Sequence, residues 1–360
     1  MVSQVVTMSF FFFIMVMSFK YSKAQMVPAM FVFGDSSVDV GNNNYLPLSI
    51  ARADFPFNGI DFPTRKPTGR FSNGKNAADF LAEKVGLPTS PPYMSLLFNK
   101  KKRSFLAGVN FASGASGILN ATGQSLGVVI PLTKQVDYYA TVHEDLLEKL
   151  GSSGAQKHLC KSLFTIITGS NDLLRYSGSS DLHKKNTPQQ YVDMMILTLK
   201  SQIKRLYTYG ARKFLLPGLA PVGCAPSQRI KNKAEECNEE ANGLSVKYNE
   251  GIKSMLLQLK LELKSINYSY FDTYSVLQNI IQKPAAYGFA EVKAACCGLG
   301  KLNAEIPCIP ISTYCSNRSN HVFWDIVHPT EATDRVVVNT IFDGPPKYTF
   351  PINIKQLIAV

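Results

Sequence analysis

A serine hydroxyl that could act as a nucleophile follows a short apolar run near the amino terminus. The run extends from Ala29 to Phe33, and Gly34-Asp35-Ser36 comes directly after it. Because glycine permits a tight turn, Ser36 is expected at the end of a buried strand, beside free backbone N–H groups. A serine so placed can attack a carbonyl carbon once a base removes its proton. The residues around it lack the Gly-x-Ser-x-Gly pattern of the α/β-hydrolases.

The base that Ser36 needs must be one of five histidines. Four of them have unsuitable surroundings, either polar and away from any strand end or directly before an apolar run: His143, His158, His183 and His321. His328 instead precedes a helix expected near Thr330, and Asp325 lies three residues before it. That spacing lets the carboxylate reach the imidazole Nδ1, while Pro329 restricts the direction of the chain. The pattern predicts a nucleophile, a general base and an orienting acid.

Two further loops could stabilise the negative charge that develops on a carbonyl oxygen. One is Gly169-Ser170-Asn171-Asp172, where the Asn171 amide could donate to an oxyanion. The other runs from Asn110 to Gly117 and is rich in small residues, so a backbone N–H could approach a ligand closely. An Asx turn and a flexible loop are the plain structural alternatives for these two segments.

Taken in order along the chain, these segments resemble the plant GDSL-type esterase/lipase family of the SGNH hydrolases. The resemblance covers nearly the whole chain after residue 24. Besides the loops above, it is carried by three runs: Phe31 to Asp39, Gly41 to Asn44, and Gly69 to Lys75. It implies that Ser36 is the nucleophile and that Asp325 and His328 complete the triad. The implied oxyanion donors are Asn171, a glycine of the second block and the Ser36 N–H.

The second block departs from the family pattern, which often reads Gly-Gly-Ala-Gly. Here it reads Gly114-Ala115-Ser116-Gly117. Gly114 is expected to be the backbone donor, with Gly117 as the reserve. Ser37 stands where the family name implies leucine, and this difference is not expected to affect catalysis.

The elements that would position these residues alternate between strands and helices. Four short apolar runs that end in polar loops predict strands: Ala29 to Phe33, Leu163 to Thr168, Lys213 to Leu216 and Tyr268 to Phe271. Helical spacing of apolar residues predicts helices over Tyr191 to Tyr209 and Glu239 to Leu263. This α/β alternation favours a parallel sheet covered on both faces, with its ligand site beyond the strands' carboxyl ends. The resemblance implies a flavodoxin-like three-layer α/β/α sandwich, the SGNH hydrolase fold.

The amino terminus reads as a secretory signal peptide over residues 1–24. An apolar run from Met8 to Phe19 precedes Ser22-Lys23-Ala24, where cleavage after Ala24 is expected. The run is too short to span a bilayer, although an uncleaved anchor is the alternative. No stable membrane span is expected elsewhere. Residues 25–360 are expected to form a single domain, with irregular insertions over 41–75 and 90–130.

The cysteines and glycosylation sequons fit the same exported route. The chain has seven cysteines, which in a secreted protein favours disulfides over a metal site. One thiol must be left over, and the isolated Cys160 is expected to be free. Three Asn-x-Ser/Thr sequons begin at Asn120, Asn267 and Asn317. A secreted, extracellular location in the cell wall is therefore expected.

The net positive charge of the chain indicates which classes of molecule it could bind. It is +12 for the full chain, and cleavage of the signal peptide would remove Lys20 and Lys23. A basic secreted protein is drawn to acidic polysaccharides. Lys100 to Arg103 is expected to be a solvated loop, and no nucleic-acid motif is present, so nucleic acid is not an expected partner.

The predicted activity is hydrolysis of carboxylic esters in acyl lipids or acylated cell-wall polymers, with no metal or organic cofactor. The expected partner is thus an acyl ester substrate. Two alternatives remain open at this point. One is an acyltransferase of the same fold that uses an alcohol as acceptor. The other is a non-catalytic ester- or glycan-binding protein, which would be expected to have lost one of the four residues Ser36, Asn171, Asp325 and His328.

Overall fold

The computed structural model describes residues 25–98 and 104–360. The predicted signal peptide and the basic run Lys100 to Arg103 lie outside these ranges. Within the described part of the chain, no helix is long and apolar enough to cross a membrane.

Short strands and longer helices alternate along the chain. The strands are β1 Met30–Gly34, β2 Leu163–Ile167, β3 Lys213–Pro217, β4 Asn267–Phe271, β5 Glu291–Ala295, β6 Cys297–Gly298, β7 Thr313–Tyr314, β8 His321–Phe323 and β9 Thr349–Phe350. The α-helices are α1 Ala77–Lys84, α2 Tyr93–Leu97, α3 Leu132–Lys161, α4 Ser170–Ser177, α5 Ser180–Lys185, α6 Pro188–Thr208, α7 Pro226–Arg229, α8 Glu239–Glu262, α9 Thr273–Gln282, α10 Glu331–Asp343 and α11 Ile354–Leu357. The four predicted strands are present as β1 to β4, and the two predicted helices are α6 and α8.

The central sheet is mainly parallel, as predicted. Its order is β1-β2-β3-β4-β9, and only the short edge strand β9 runs antiparallel. On the far side of β1, Val32 N donates to Val109 O (3.0 Å) and Phe111 N donates to Val32 O (2.7 Å). The segment containing Val109 and Phe111 therefore continues the sheet beside β1, which places β1 in its interior.

Both faces of the sheet are covered, which explains why the strands are apolar throughout. On β1, Phe31 and Phe33 belong to one hydrophobic core, which they share with α3, α6 and α8. Met30 and Val32 point to the opposite core, which is built from α1, α9, α10 and α11. These two helical layers around one sheet confirm the predicted three-layer α/β/α arrangement.

A small disulfide-linked unit supports the approach to Asp325. β5 pairs with β8, and β6 pairs with β7. The fully buried Trp324 packs against Cys296, Cys297 and Cys308, and its indole Nε1 donates to Asn58 Oδ1 (3.0 Å). The backbone that precedes Asp325 is thus anchored by packing and by hydrogen bonds.

The cysteine pairing accounts for six of the seven thiols. The disulfides are Cys224–Cys237, Cys296–Cys315 and Cys297–Cys308. Cys160 is free, which confirms the prediction for it.

A buried ion pair joins α1 to the loop before it. Arg70 Nε lies 2.6 Å from Asp79 Oδ2, and the two side chains are 8% and 2% exposed. Asp79 also belongs to the capping box at the start of α1, because its side chain accepts from Asn76 N (3.0 Å). Removal of one partner from such a pair leaves a charge that is neither solvated nor neutralised.

We expect Asp79→Ala to lower the free energy of unfolding by about 3–5 kcal/mol, the range for a broken buried pair. The matched control is Asp137→Ala, which removes the exposed ion pair with Arg205 (2.7 Å, side chains 46% and 37% exposed). The control should cost about 1 kcal/mol or less. Denaturant unfolding of both variants tests this, and equal losses would contradict it.

Candidate active site

Ser36 follows β1 at a point where the backbone passes very close to the next strand. Gly34 has φ +155°, and a Cβ there would lie 2.2 Å from Ile167 O, so only glycine fits. The Gln135 side-chain amide binds the backbone on both sides of Gly34, because it accepts from Gly34 N and donates to Gly34 O, both at 2.8 Å. The Ser36 side chain therefore emerges at the carboxyl edge of the sheet, where it is 8% exposed.

The structure brings Ser36, His328 and Asp325 together. His328 Nε2 lies 2.7 Å from Ser36 Oγ, and His328 Nδ1 lies 2.8 Å from Asp325 Oδ2. Asp325 Oδ1 also accepts from the backbone N–H groups of Val327 (2.9 Å) and His328 (2.8 Å). The carboxylate thus fixes both the loop and the imidazole tautomer. This geometry allows the imidazole to take the proton of an attacking hydroxyl.

Asp325 and His328 each shift the pKa of the other toward its charged form. Burial acts to raise the pKa of Asp325, but the His328 charge, its hydrogen bond and two backbone N–H donors hold that pKa below its ordinary value. Burial acts to lower the pKa of His328, but the charge and hydrogen bond of Asp325, together with the charge of Asp35, raise it above 6.5. The carboxylate therefore stays ionised and stabilises an imidazolium.

The segment over residues 69–75 holds the other side of the His328 loop. The Phe71 ring centroid lies 5.0 Å from that of the His328 imidazole. Asn73 Oδ1 accepts from Glu331 N (2.8 Å), and Glu331 Oε2 accepts from Lys75 N (2.9 Å). From the sequence alone, only the family resemblance pointed to this run. Its contacts lie more than 250 positions away in the chain, so no local pattern indicates them.

Asn171 lies in the first turn of α4 and lines the same cleft as Ser36. One hydrogen of its Nδ2 group is donated to Ser116 O (2.9 Å). Gly169 caps the helix with φ +121°, a conformation that glycine tolerates. Asn171 is therefore oriented by the second block, as a donor of an oxyanion hole would have to be.

The backbone N–H predicted as a donor, that of Gly114, has acceptors within the protein. It donates to Asp39 Oδ2 (3.0 Å) and Asn43 Oδ1 (3.1 Å), so it is occupied within the loop. In the described part of the chain, the N–H groups of Ala115 and of the reserve residue Gly117 have no acceptor. Ala115 is half-exposed in a left-handed conformation (φ +62°), whereas Gly117 is buried against Asp172. The Ala115 N–H is therefore unoccupied and half-exposed, which makes it the candidate backbone donor.

Two buried carboxyl groups that sequence analysis did not assign organise these loops. Asp39 Oδ1 accepts from the N–H groups of Gly41 (2.8 Å) and Asn42 (2.7 Å). Asp172 accepts from Ile118 N (2.9 Å), Leu119 N (3.0 Å) and Thr122 Oγ1 (2.7 Å). Burial raises the pKa of Asp39 and of Asp172 to about 6 in spite of these donors. Each carboxyl ties a loop at the sheet edge to its neighbour.

A cavity extends from Ser36 and His328 along the carboxyl edge of the sheet. Most of its lining is aliphatic, including Ile167, Leu174, Leu219, Val222, Leu277 and Val337. Its polar lining includes Ser36, His328, Ser170 and Asn171, and further polar side chains come from Thr273, Thr333 and Asp334. The site can therefore hold a molecule with a polar reactive group and an apolar extension.

We expect the imidazole of His328 to titrate above pH 6.5 and that of His143 to titrate below it. Burial lowers the pKa of His143, and the nearby Glu144 opposes this only in part. Asp325→Asn should lower the His328 value, because it removes the negative charge that stabilises the imidazolium. Titration of the ring resonances by NMR measures both groups in one sample. A His328 pKa below that of His143 would contradict this assignment of charges.

Comparison with solved structures gives a catalytic mutant of an acetylxylan esterase from Geobacillus stearothermophilus, at 12% identity and a TM-score of 0.40 over 87% of this chain and 91% of that one. Residues 30–341 match the family described as GDSL-like Lipase/Acylhydrolase. A GDSL esterase/lipase of Arabidopsis thaliana is 52% identical over 344 residues, covering 94% of this chain and 91% of the relative. Another from the same plant is 40% identical over 339 residues, covering 92% and 91%. On these sequence matches, the chain belongs to the GDSL-like lipase/acylhydrolase family of carboxylic ester hydrolases.

Proposed function

We propose that this protein is a secreted serine esterase/lipase that hydrolyses acyl lipids or acylated cell-wall polymers through an acyl-enzyme. The observation that carries the proposal is the 2.7 Å contact between Ser36 Oγ and His328 Nε2, with Asp325 on the other imidazole nitrogen. That arrangement supports a Ser-His-Asp mechanism.

The reaction proceeds in two acyl-transfer steps. His328 accepts the Ser36 proton while the hydroxyl oxygen attacks the ester carbonyl carbon, and the imidazolium then protonates the departing alcohol. Water next attacks the Ser36 ester, with His328 again accepting a proton. The product acid is released and the Ser36 hydroxyl is restored. Asp325 stays ionised throughout and stabilises the imidazolium.

Three N–H groups stabilise the oxyanion in both steps. Asn171 Nδ2 has a second hydrogen beyond the one donated to Ser116 O. The backbone N–H groups of Ser36 and Ala115 have no acceptor within the described residues. The Ala115 N–H takes the place expected for the Gly114 N–H, since the latter is bound to Asp39 and Asn43.

An extracellular location is part of the same proposal. The three disulfides support an oxidising compartment. At the sequons, Asn120 and Asn317 are exposed and Asn267 is half-buried, and all three are proposed glycosylation sites. The net positive charge would favour acidic cell-wall polysaccharide as the surface near which the protein works.

We expect Ser36→Ala to lower kcat on p-nitrophenyl acetate by roughly 10⁴-fold or more, because within residues 25–98 and 104–360 Ser36 carries the only hydroxyl that contacts His328 Nε2. Ser37→Ala is the matched control in the same turn and should keep its activity within about tenfold of wild type. Circular dichroism and thermal unfolding establish that both variants are folded. Equal rates for Ser36→Ala and wild type would exclude Ser36 as the nucleophile.

Asn171→Ala is expected to lower kcat by about 10²–10³-fold with little change in KM, because an oxyanion donor acts mainly in the transition state. Asn171→Asp, which keeps the size of the side chain but opposes a negative charge, should lose at least as much. Steady-state kinetics on the same ester measure both parameters. A raised KM at constant kcat would instead assign Asn171 to ground-state binding.

A further inference from the structure

A carboxyl group outside the triad faces the cavity that contains Ser36. Asp334 lies in the first turn of α10, the helix that begins just after His328. Together with Val337 and Ile341 it lines the cavity. Their spacing of three, four and seven residues places them on one face of the helix. From this helix, the cavity is lined by one acidic group beside the aliphatic Val337 and Ile341, with the hydroxyl-bearing Thr333 next to it.

Asp334 is buried and its carboxyl group is unpartnered. The residue is 7% exposed, and no hydrogen bond or ion pair to its side chain is found within residues 25–98 and 104–360. The charged groups that face it are the acids Asp79 and Glu331, and each of these is itself paired, with Arg70 and Arg335 respectively. A buried carboxyl group without a partner costs stability. Such a group in a ligand cavity points to a use in binding.

The surroundings of Asp334 favour its neutral form. Burial, followed by the charges of Asp79 and Glu331, raises its pKa well above the ordinary value. A protonated carboxyl group donates one hydrogen bond and also accepts. It is therefore suited to an uncharged oxygen group of a ligand.

The remaining lining argues against charged ligand groups. Besides the His328 imidazole, the only aromatic ring among the described lining residues is Phe323, so no aromatic cage for an ammonium group is formed. An anion in the cavity would lie beside Asp334 and Asp35, and the charges of Asp79 and Glu331 act close to Asp334. A neutral hydroxyl group, which both donates and accepts, matches a protonated carboxyl best.

We propose that Asp334 determines specificity by hydrogen bonding to a hydroxyl group on the acyl chain of the substrate, so that esters of hydroxylated acyl chains are preferred. This proposal rests on the proposed esterase function and names its substrate class. The apolar part of the chain packs against the aliphatic walls, including Leu277 and Val337. An unsubstituted chain leaves the buried carboxyl unpaired, and sites of this kind discriminate against ligands that lack the matching group.

The test uses pairs of medium-chain p-nitrophenyl esters. The two esters of a pair differ only in one hydroxyl group on the acyl chain, and the position of that hydroxyl differs from pair to pair. Each rate is divided by the same variant's rate on the acetate ester, so general losses cancel. For wild type, we expect kcat/KM to favour the hydroxylated ester by about tenfold at the position that reaches Asp334. Asp334→Leu should reverse the preference, because it replaces the carboxyl by an apolar group of similar size.

Further variants separate this role from a structural one. Asp334→Asn keeps a donor and an acceptor and should retain the preference for the hydroxylated ester. Asp343→Leu, a change of the same type at an exposed position of α10, should leave the ratio unchanged. Should Asp334→Leu fail to fold, Asp334→Ala supplies the same comparison, and it too should lose the preference.

The outcomes distinguish this proposal from the proposed function. If wild type favours the alkyl ester of every pair, or if Asp334→Leu keeps the wild-type ratio, the role of Asp334 is overturned while Ser36-dependent hydrolysis of the acetate ester stands. Absence of any Ser36-dependent hydrolysis by wild type would overturn the esterase function and this proposal together.

Discussion

The hydrogen bond between Ser36 and His328 joins two residues that are 292 positions apart in the chain. Closing so long a loop costs conformational entropy, and a single hydrogen bond contributes far too little to offset it. The two side chains must therefore be held in place independently of each other. β1, in the interior of the sheet, holds Ser36. The disulfide-linked unit, β8 and the amino-terminal end of α10 hold His328.

The loops at the sheet edge depend on buried carboxyl groups. Asp39, Asp172 and Asp325 each accept from backbone N–H groups of these loops. Burial of a carboxyl group is unfavourable unless such donors compensate it. Each loop therefore has to keep the conformation in which its N–H groups reach the buried aspartate. The proposed oxyanion donors are thus held in loops that are hydrogen-bonded to one another, since Asp39 accepts from Gly114 N and Asp172 from Ile118 N. Preorganised donors are what stabilise developing charge, because they need not reorient during the reaction.

The cavity combines two environments that serve different purposes. Around Ser36 and Asn171 the lining is polar and suits the reacting ester group, whereas Leu277, Val337 and their neighbours provide apolar walls. Apolar contact alone distinguishes poorly between acyl chains, since each methylene adds only a modest free energy. A single buried carboxyl group such as Asp334 is a stronger basis for selection. Under the proposed role of Asp334, substrate choice depends on a few cavity side chains rather than on the triad.

Local patterns in the sequence determined strands β1 to β4, helices α6 and α8, the proximity of Asp325 to His328 and the position of Ser36 at the end of β1. These predictions succeed because hydrophobic period, turn chemistry and a spacing of three residues act over short stretches of chain. Only the tertiary structure decided that Asn43 and Asp39 occupy the Gly114 N–H, which leaves that of Ala115 free. The tertiary structure likewise decided the disulfide pairing and the burial of Asp334. Acidic residues are common in the first turn of a helix, so nothing in the sequence distinguishes Asp334. Hydrogen-bond partners and desolvation depend on residues distant in the chain, so no local pattern contains them.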